Sequence, residues 1–280
     1  MGTTERSLFL GAATLLVCHA APALAATAPG RRLFPVLDRI LSSSAVALTF
    51  DDGPGAPTEA FVRLLEQSGA IATFFLVGER VERAPSLALE IVRCGHEVGV
   101  HGYRHRNHLR LLPWQIVDDL RRARAVIEDV TGQPTRFFRP PYGVFTLTTW
   151  WEARRQGWRP VLWNRWGRDW EPHATPASIA QRIGEPEAGD ILLLHDSDAY
   201  SAPGSWRKTL AALPLILEQL EAKQLTARSL SELLLDPGFR GRECVASPHA
   251  GQRRSLPAVP EAGRQPASTR QREVDSCACW

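Results

Sequence analysis

Two adjacent carboxylates end a short apolar run near the start of the chain, in VALTFDDGPG at 46–55. Adjacent acids repel each other, so pairing Asp51 with Asp52 at a strand end would bring little benefit to a chain that only needed solubility. Carboxylates serve both proton transfer and metal binding, so the pair raises the question of which chemical partners the rest of the sequence supplies.

Two histidines four residues apart, His101 and His105 in HGYRH, are the next group of this kind. If this segment curls into a helical turn, both imidazoles can reach one ion, and a carboxylate from a neighbouring strand end completes a His-His-Asp set. Such a set with open positions suits catalytic zinc or non-haem iron. The H-x-x-x-H spacing alone is weak evidence, so its interpretation depends on the motifs around it.

Three further short motifs each follow an apolar run. They are RPPYG with Arg139 and Tyr142, GRDW with Asp169 and Trp170, and LLLHD with Leu193 and His195. Of the other histidines, His96 is expected to be structural and His108 to lie on an exposed loop. Six tryptophans fall between 150 and 170, of which Trp166 and Trp170 are expected near a cleft and the others in the core.

The elements that must position these residues alternate along the chain. Strands are predicted at 45–50, 71–77, 96–101, 136–139, 160–164, 190–195 and 225–229, and helices at 58–69, 84–95, 113–132 and 206–224. This alternation predicts an α/β fold with a mostly parallel sheet. We expect a distorted, incomplete (β/α)7-8 barrel, with a doubly wound open sheet as the alternative. In a barrel the carboxyl ends of the strands share one face, so the motifs would converge there.

The five motifs, in this order, resemble those of the polysaccharide deacetylases, carbohydrate esterase family 4, whose shared region is the NodB-type homology domain. The resemblance covers roughly 44–230, and TFDDGP matches the family's first motif letter for letter. HGYRH is similar to the family's His-pair motif, RPPYG to its Arg-Pro-Tyr motif, GRDW to its Asp-Trp motif and LLLHD to its Leu-His motif. Five motifs in the family's order argue against chance agreement.

The resemblance implies a metal centre and a base beside it. Asp52, His101 and His105 would hold one divalent metal ion, with zinc expected and cobalt or nickel as alternatives. Asp51 would be the general base, and Arg139 would pair with it and keep it ionised. One feature departs from the family pattern, because Gly102 stands where the family usually has Ser or Thr. That hydroxyl normally braces the loop, so the departure raises the question of what holds the loop here.

The resemblance also implies an acid and a substrate pocket. His195 would be the general acid, tethered by Asp169. The backbone N–H of Tyr142 would help to hold the oxyanion, while Trp170 and Leu193 would wall a small pocket for the acetyl methyl group. The implied activity is metal-dependent removal of N-acetyl or O-acetyl groups from an amino-sugar polymer or oligomer, such as peptidoglycan, chitin oligomers or an exopolysaccharide.

Two other functions remain open at this point. A non-haem iron oxygenase could use the same His-His-Asp triad, although TFDDGP and the late histidine argue against it. A non-catalytic carbohydrate-binding relative would not need Asp51 or His195. The net charge of +3 without a basic stripe or nucleic-acid motif argues against nucleic-acid binding, and no obligate protein partner is inferred.

The two ends of the chain differ from the middle. Residues 1–26, with Arg6, an apolar stretch and ALA at 23–25, have the layout of a signal peptide, which predicts an exported protein, or a membrane-associated one if the segment stays uncleaved. Residues 27–43 are predicted as a linker and 44–235 as the catalytic domain. Residues 236–280 are rich in Pro, Arg, Ser and Ala without an apolar period, and are predicted to be disordered. The five cysteines form no disulfide or zinc pattern, including the CACW end.

Overall fold

The computed structural model describes residues 3–42 and 44–235. The strands are β1 Ala45–Asp51, β2 Thr73–Leu76, β3 Glu97–Val100, β4 Phe137–Phe138, β5 Arg159–Pro160, β6 Arg165–Trp166, β7 Ile191–His195 and β8 Thr226–Arg228. The α-helices are α1 Thr3–Ala20, α2 Ala28–Leu33, α3 Thr58–Ser68, α4 Gly78–Arg83, α5 Pro85–Arg93, α6 Pro113–Thr131, α7 Leu147–Arg155, α8 Pro176–Ile183, α9 Ser205–Ala222 and α10 Leu230–Leu235. The predicted tail and the CACW end lie outside the described residues.

The strands form one parallel sheet in the order β5-β4-β3-β2-β1-β7-β6, with β8 paired to the first half of β1. The sheet curls into a half-barrel with helices outside it, which confirms the predicted incomplete (β/α)7-8 barrel. Strand β1 is central, and its last residue is paired on both sides. Asp51 lies opposite Phe75 of β2 and opposite His195 of β7. This register brings the first and last of the five motifs side by side.

The barrel leaves a gap between its edge strands, which the segment before β1 partly bridges. Leu37 donates its N–H to the carbonyl of Pro160 and accepts from the N–H of Leu162, at 2.8 and 2.7 Å. Ile40 donates to Gly189 at 2.8 Å. The segment predicted as a linker therefore contains helix α2 and hydrogen-bonds to loops on both sides of the gap.

The core lies between the sheet and the helices and is rich in phenylalanine. Strand β1 is buried along its whole length, because both of its faces are covered. Phe50, Phe61 and Phe74 pack together, with ring centroids 5.4 and 5.0 Å from that of Phe50. This packing fixes the direction in which β1 leaves the sheet and so fixes where its terminal carboxylates lie.

One predicted strand and several helices differ from the structure. The predicted strand at 160–164 does not form, because β5 ends at Pro160, β6 begins at Arg165, and between them Leu162 and Trp163 line a cavity instead of continuing a ladder. Helices α2, α4, α7, α8 and α10 were not predicted, since each spans nine residues or fewer, a length over which a helical period is hard to recognise.

The N-terminal residues, predicted as a signal peptide, form α1 and the 3-10 helix Ala21–Ala26, in which Ala25 is fully buried. Among the described residues, no helix has the length and apolarity needed to cross a bilayer.

Candidate active site and metal centre

All five motifs contribute to one cavity of about 250 Å³ at the carboxyl end of the sheet. Its walls contain most of the residues singled out from the sequence and several others: Asp51, Asp52, His101, His105, Tyr142, Gly143, Trp163, Trp166, Trp170, Leu193, His195, Tyr200 and Ser201. Arg139 and Asp169 lie behind this wall, and neither is exposed to solvent. The structure thus brings together all ten residues of the predicted site.

The end of β1 places two consecutive carboxylates in the same cavity. Neighbouring side chains of a strand normally point to opposite faces. Asp52 breaks this alternation by adopting a left-handed conformation with φ of 79°, which aspartate tolerates better than most residues. Asp51 and Asp52 can therefore both face the cavity.

Asp52, His101 and His105 form a compact cluster whose ligand atoms all lie within 4.8 Å of one another. Oδ1 of Asp52 is 3.5 Å from Nε2 of His101 and 3.2 Å from Nε2 of His105. Burial raises the pKa of the Asp52 carboxyl to about 7. Burial also lowers the pKa of both His101 and His105 to about 3, so that both imidazoles are neutral and carry a free lone pair.

This donor set fits a divalent metal ion. Two neutral imidazole nitrogens and one carboxylate oxygen are a ligand combination of catalytic zinc sites. Oδ1 of Asp52 is buried and has no hydrogen-bond donor among the described residues, which is costly for a carboxylate unless a cation approaches it. The three atoms are therefore better arranged to bind a metal ion than to contact one another.

Asp51 is held by a fully buried arginine. Nη1 of Arg139 donates to Oδ1 of Asp51 at 2.6 Å and to the hydroxyl of Thr49 at 2.9 Å, and Nη2 donates to the carbonyl of Leu162 at 3.0 Å. Burial raises the pKa of the Asp51 carboxyl, and the guanidinium of Arg139 opposes this rise without cancelling it. The resemblance implied that Arg139 keeps Asp51 ionised, but desolvation has the larger effect, and the pKa of Asp51 lies above its ordinary value.

His195 is held by Asp169 in the same way that a base is oriented by a carboxylate in a catalytic triad. Nδ1 of His195 lies 2.9 Å from Oδ1 of Asp169, and the backbone N–H of His195 donates to Oδ2 at 2.8 Å. The hydroxyl of Thr209 also donates to Oδ2, at 2.9 Å. Burial alone would lower the pKa of His195, but the facing carboxylate of Asp169 raises it to about 10. Asp169 therefore favours the protonated form of His195.

Aromatic side chains form the rim of the cavity. Trp166 lies 5.9 Å from Trp163 and 5.3 Å from Trp170, measured between ring centroids, and Trp170 is edge-on to His195 at 5.4 Å. Trp166 is 37% exposed and Tyr142 is 59% exposed, so both present ring surface to solvent at the mouth. Exposed rings around a polar centre are suited to stacking on the apolar faces of sugars.

Sequence reasoning missed several residues of this site. Tyr200, which stacks on His105, follows the LLLHD motif by only a few residues, and its position in that loop was the one available signal. Trp163 packs against the core, as expected, but it also lines the cavity. The prediction of an exposed His108 was wrong, because its ring is buried and its Nδ1 lies 3.1 Å from the hydroxyl of Thr149. His96 is buried, as its expected structural role requires.

Comparisons with known proteins point to one family. The family model described as polysaccharide deacetylase matches residues 38–161. A peptidoglycan-N-acetylglucosamine deacetylase of Bacillus cereus is 34% identical over 193 residues, which are 68% of this chain and 87% of that protein.

Two solved structures share the fold. A family 4 carbohydrate esterase from Streptomyces lividans, in complex with acetate, has a TM-score of 0.60 and 32% identity over 66% of this chain and 91% of its own. A carbohydrate esterase family 4 pseudoenzyme from Bacillus anthracis has a TM-score of 0.62 and 28% identity over 69% of this chain and 66% of its own. With a relative matched along most of its length and the five motifs around one cavity, the chain belongs to the polysaccharide deacetylase family, carbohydrate esterase family 4.

Proposed function

We propose that this protein is a metal-dependent hydrolase that removes acetyl groups from an amino-sugar glycan. One observation carries the proposal. A cluster of possible metal ligands and two side chains able to transfer protons, each held by its own charged partner, surround one cavity. Asp51 has its own partner in Arg139, and His195 has its own partner in Asp169. A protein that only bound carbohydrate would need neither pair, so the arrangement favours an enzyme over a pseudoenzyme. Membership of the deacetylase family likewise argues against an oxygenase.

Asp52, His101 and His105 would hold the metal, for which we propose zinc, with cobalt or nickel as functional substitutes. When bound, such an ion supplies Lewis acidity, which favours deprotonation of a nearby water and polarises a carbonyl group. The two imidazoles are already neutral, so no proton has to leave His101 or His105 before the ion binds.

Asp51 would act as the general base. Arg139 occupies its Oδ1, which leaves Oδ2 to accept a proton from the water that attacks the acetamide carbon. The pKa of Asp51, raised by burial, brings its basicity closer to neutral pH than that of an exposed aspartate. Arg139 would keep the carboxylate aimed, because two further hydrogen bonds, to the hydroxyl of Thr49 and the carbonyl of Leu162, fix its guanidinium.

His195 would act as the general acid. Its Nδ1 is engaged by Asp169, so Nε2 is the nitrogen from which a proton can pass to the departing amine. An amine cannot leave as an anion at neutral pH, and an imidazolium with a raised pKa is present in the required protonated form. Protonation and bond cleavage would then regenerate a free amine on the sugar and a carboxylate, acetate.

Four other cavity residues would bind the substrate. We propose that the backbone N–H of Tyr142 donates to the developing oxyanion and that Leu193 and Trp170 enclose the acetyl methyl group. Trp166, at the mouth, would stack on a sugar ring. The similarity to a deacetylase named for peptidoglycan N-acetylglucosamine supports an N-acetylated glucosamine polymer as the substrate class.

We also propose that the protein is exported, and an N-acetylated glucosamine polymer as the substrate agrees with this. The signal-like layout of residues 1–26 supports an extracytoplasmic location, where cell-wall glycans are found. Mass spectrometry of the protein from its native host tests this directly. A mature N-terminus near Ala26 is expected, and an intact N-terminus in the cytosolic fraction would overturn export.

Release of free acetate is the test of the proposed function. Purified protein is incubated with peptidoglycan, chitin oligomers, acetylated xylan and an acetylated exopolysaccharide, each with zinc and with chelator. We expect acetate from at least one N-acetylated glycan, abolished by the chelator and restored by zinc or cobalt. Zinc-loaded protein that releases no acetate from any of these glycans would overturn the proposal.

A further inference from the structure

The two histidines of the metal cluster are held in different ways. Nδ1 of His101 lies 2.8 Å from the carbonyl oxygen of Arg139, a contact that fixes the ring and its tautomer. Nδ1 of His105 is buried and has no hydrogen-bond partner among the described residues. Metal-binding histidines commonly use that second nitrogen for orientation, so His105 must be oriented by other contacts.

The backbone around His105 is held by one carboxylate on helix α6. Oδ2 of Asp119 accepts from the backbone N–H of Tyr103 at 2.7 Å. Oδ1 accepts from the N–H of Arg104 at 3.4 Å and from Nη2 of Arg106 at 2.7 Å. Asp119 is 2% exposed, so these bonds are shielded from water. Residues on both sides of His105 are thus tied to a rigid helix.

Gly102 makes room for this carboxylate. It adopts a left-handed conformation with φ of 88°, and a Cβ at this position would lie 3.2 Å from Oδ2 of Asp119 and 3.2 Å from the carbonyl oxygen of Arg104. A side chain there would crowd the carboxylate that binds the loop. The glycine that departs from the family pattern is therefore consistent with a loop braced by Asp119.

The ring of His105 is held by aromatic contacts. Tyr200, from the loop after β7, stacks on it with centroids 4.2 Å apart and an interplanar angle of 13°. Tyr142 approaches edge-on at 4.6 Å. The hydroxyl of Tyr200 reaches Oε1 of Glu79 at 3.3 Å, which anchors the tyrosine on the far side of the cavity mouth. The stacked ring limits rotation of His105 about its side-chain bonds.

We infer that Asp119 and Tyr200 are positioning residues for His105: Asp119 fixes its backbone, and Tyr200 fixes its ring. Neither touches the proposed metal, and each acts through His105. The inference rests on the proposed function, because it takes Asp52, His101 and His105 as the metal ligands. It predicts that metal affinity depends on two residues that are outside all five family motifs.

Zinc affinity of the full-length chain tests the role of Asp119. Metal-free protein competes with a chromogenic chelator for zinc, and the dissociation constant is obtained without any measurement of turnover. Asp119→Asn keeps the shape of the side chain but replaces one acceptor with an NH₂ group that must face an amide N–H or the guanidinium of Arg106. We expect zinc to bind about 10- to 100-fold more weakly, a typical cost of losing an outer contact to a metal ligand. Asp118→Asn, an exposed carboxylate on the same helix, is the matched control and should bind zinc like the wild type.

Tyr200 is tested by a pair of variants at a half-exposed position where folding is not at risk. Tyr200→Phe keeps the stacked ring and loses only the contact with Glu79, so its zinc affinity should stay within about 2-fold of the wild type. Tyr200→Ala removes the ring, and the affinity should fall by about 2- to 12-fold, the range that aromatic pairing supplies. A Tyr200→Ala protein that binds zinc like the wild type would overturn this half of the inference.

Acetate release measured at increasing zinc concentrations distinguishes a loss of zinc affinity from a loss of catalytic function. For Asp119→Asn, acetate release should recover as zinc approaches saturation, because the ligands themselves are intact. A kcat deficit that persists at saturating zinc, with unchanged affinity, would overturn the role of Asp119. If the wild type itself binds no zinc, the proposed function fails, whereas equal binding by wild type and variants overturns only this inference.

Discussion

The site has two halves that are built differently. In the half formed by strand ends, Asp51, Arg139 and Asp169 are almost completely buried, and each charged group faces an opposite charge. In the half at the rim of the cavity, Tyr142, Trp166 and Tyr200 are between one third and two thirds exposed and are held by ring contacts. The difference teaches that the charged pairs lie where the fold encloses them on all sides, whereas the exposed rings lie where a ligand can reach them.

The largest effect is expected from His195, in the strand-end half. His195→Ala should retain zinc and lose activity on an acetamide by about 10²- to 10⁴-fold, the range typical of general acid catalysis. The loss should be much smaller on an aryl acetate, whose leaving group needs no proton. Kinetics on both substrates measure this difference. Equal losses on the two would remove His195 from the role of leaving-group acid.

The next largest effect is expected on stability, from the buried ion pair between Asp51 and Arg139. Arg139→Met leaves Asp51 buried without its partner, and breaking such a pair costs about 3–5 kcal/mol in the free energy of unfolding. Urea denaturation followed by circular dichroism measures the change. The rim variant Trp166→Ala is the control and should unfold like the wild type. Comparable losses in both would contradict the division into a buried, charge-paired half and an exposed rim.

The pH dependence of stability should report the His195–Asp169 pair. The pKa of His195 is about 10 in the folded protein against 6.5 for an ordinary histidine, so the pair stabilises the fold fully below about pH 6.5, and this contribution is lost as the pH rises through about 10. His195→Gln should flatten the decline in melting temperature between pH 7 and pH 10. The measurement is made with chelator present, because a bound cation would repel the imidazolium. A wild type and variant with parallel profiles would show that the pair contributes no such stabilisation.

The smallest effect is expected at the rim. Trp166→Ala should raise KM for a glycan oligomer by about 2- to 12-fold through loss of ring stacking, with kcat nearly unchanged. Steady-state acetate release over a range of oligomer concentrations measures both constants. A fall in kcat with unchanged KM would mean that Trp166 takes part in positioning the reacting group instead of holding a neighbouring sugar.

The two halves were also unequal in how well the sequence predicted them. The strand-end residues follow short apolar runs, and in a parallel barrel that position alone implies convergence, so Asp51, Arg139 and His195 could be placed in advance. Tyr200 and Asp119 could not, because a loop tyrosine and a helical aspartate have no local pattern that distinguishes a site residue from a surface one. His108 was misjudged for a related reason: its burial depends on helix α7, which the sequence did not reveal.

The central claim is that the two adjacent carboxylates have different tasks, and zinc content measured together with acetate release tests it most directly. Wild type, Asp51→Asn and Asp52→Asn are prepared metal-free, titrated with zinc and assayed on the same N-acetylated oligomer. We expect wild type to bind one zinc and release acetate in proportion, Asp51→Asn to bind one zinc without appreciable turnover, and Asp52→Asn to bind zinc weakly. Turnover by metal-free wild type, or equal loss of zinc from the two variants, would contradict the account.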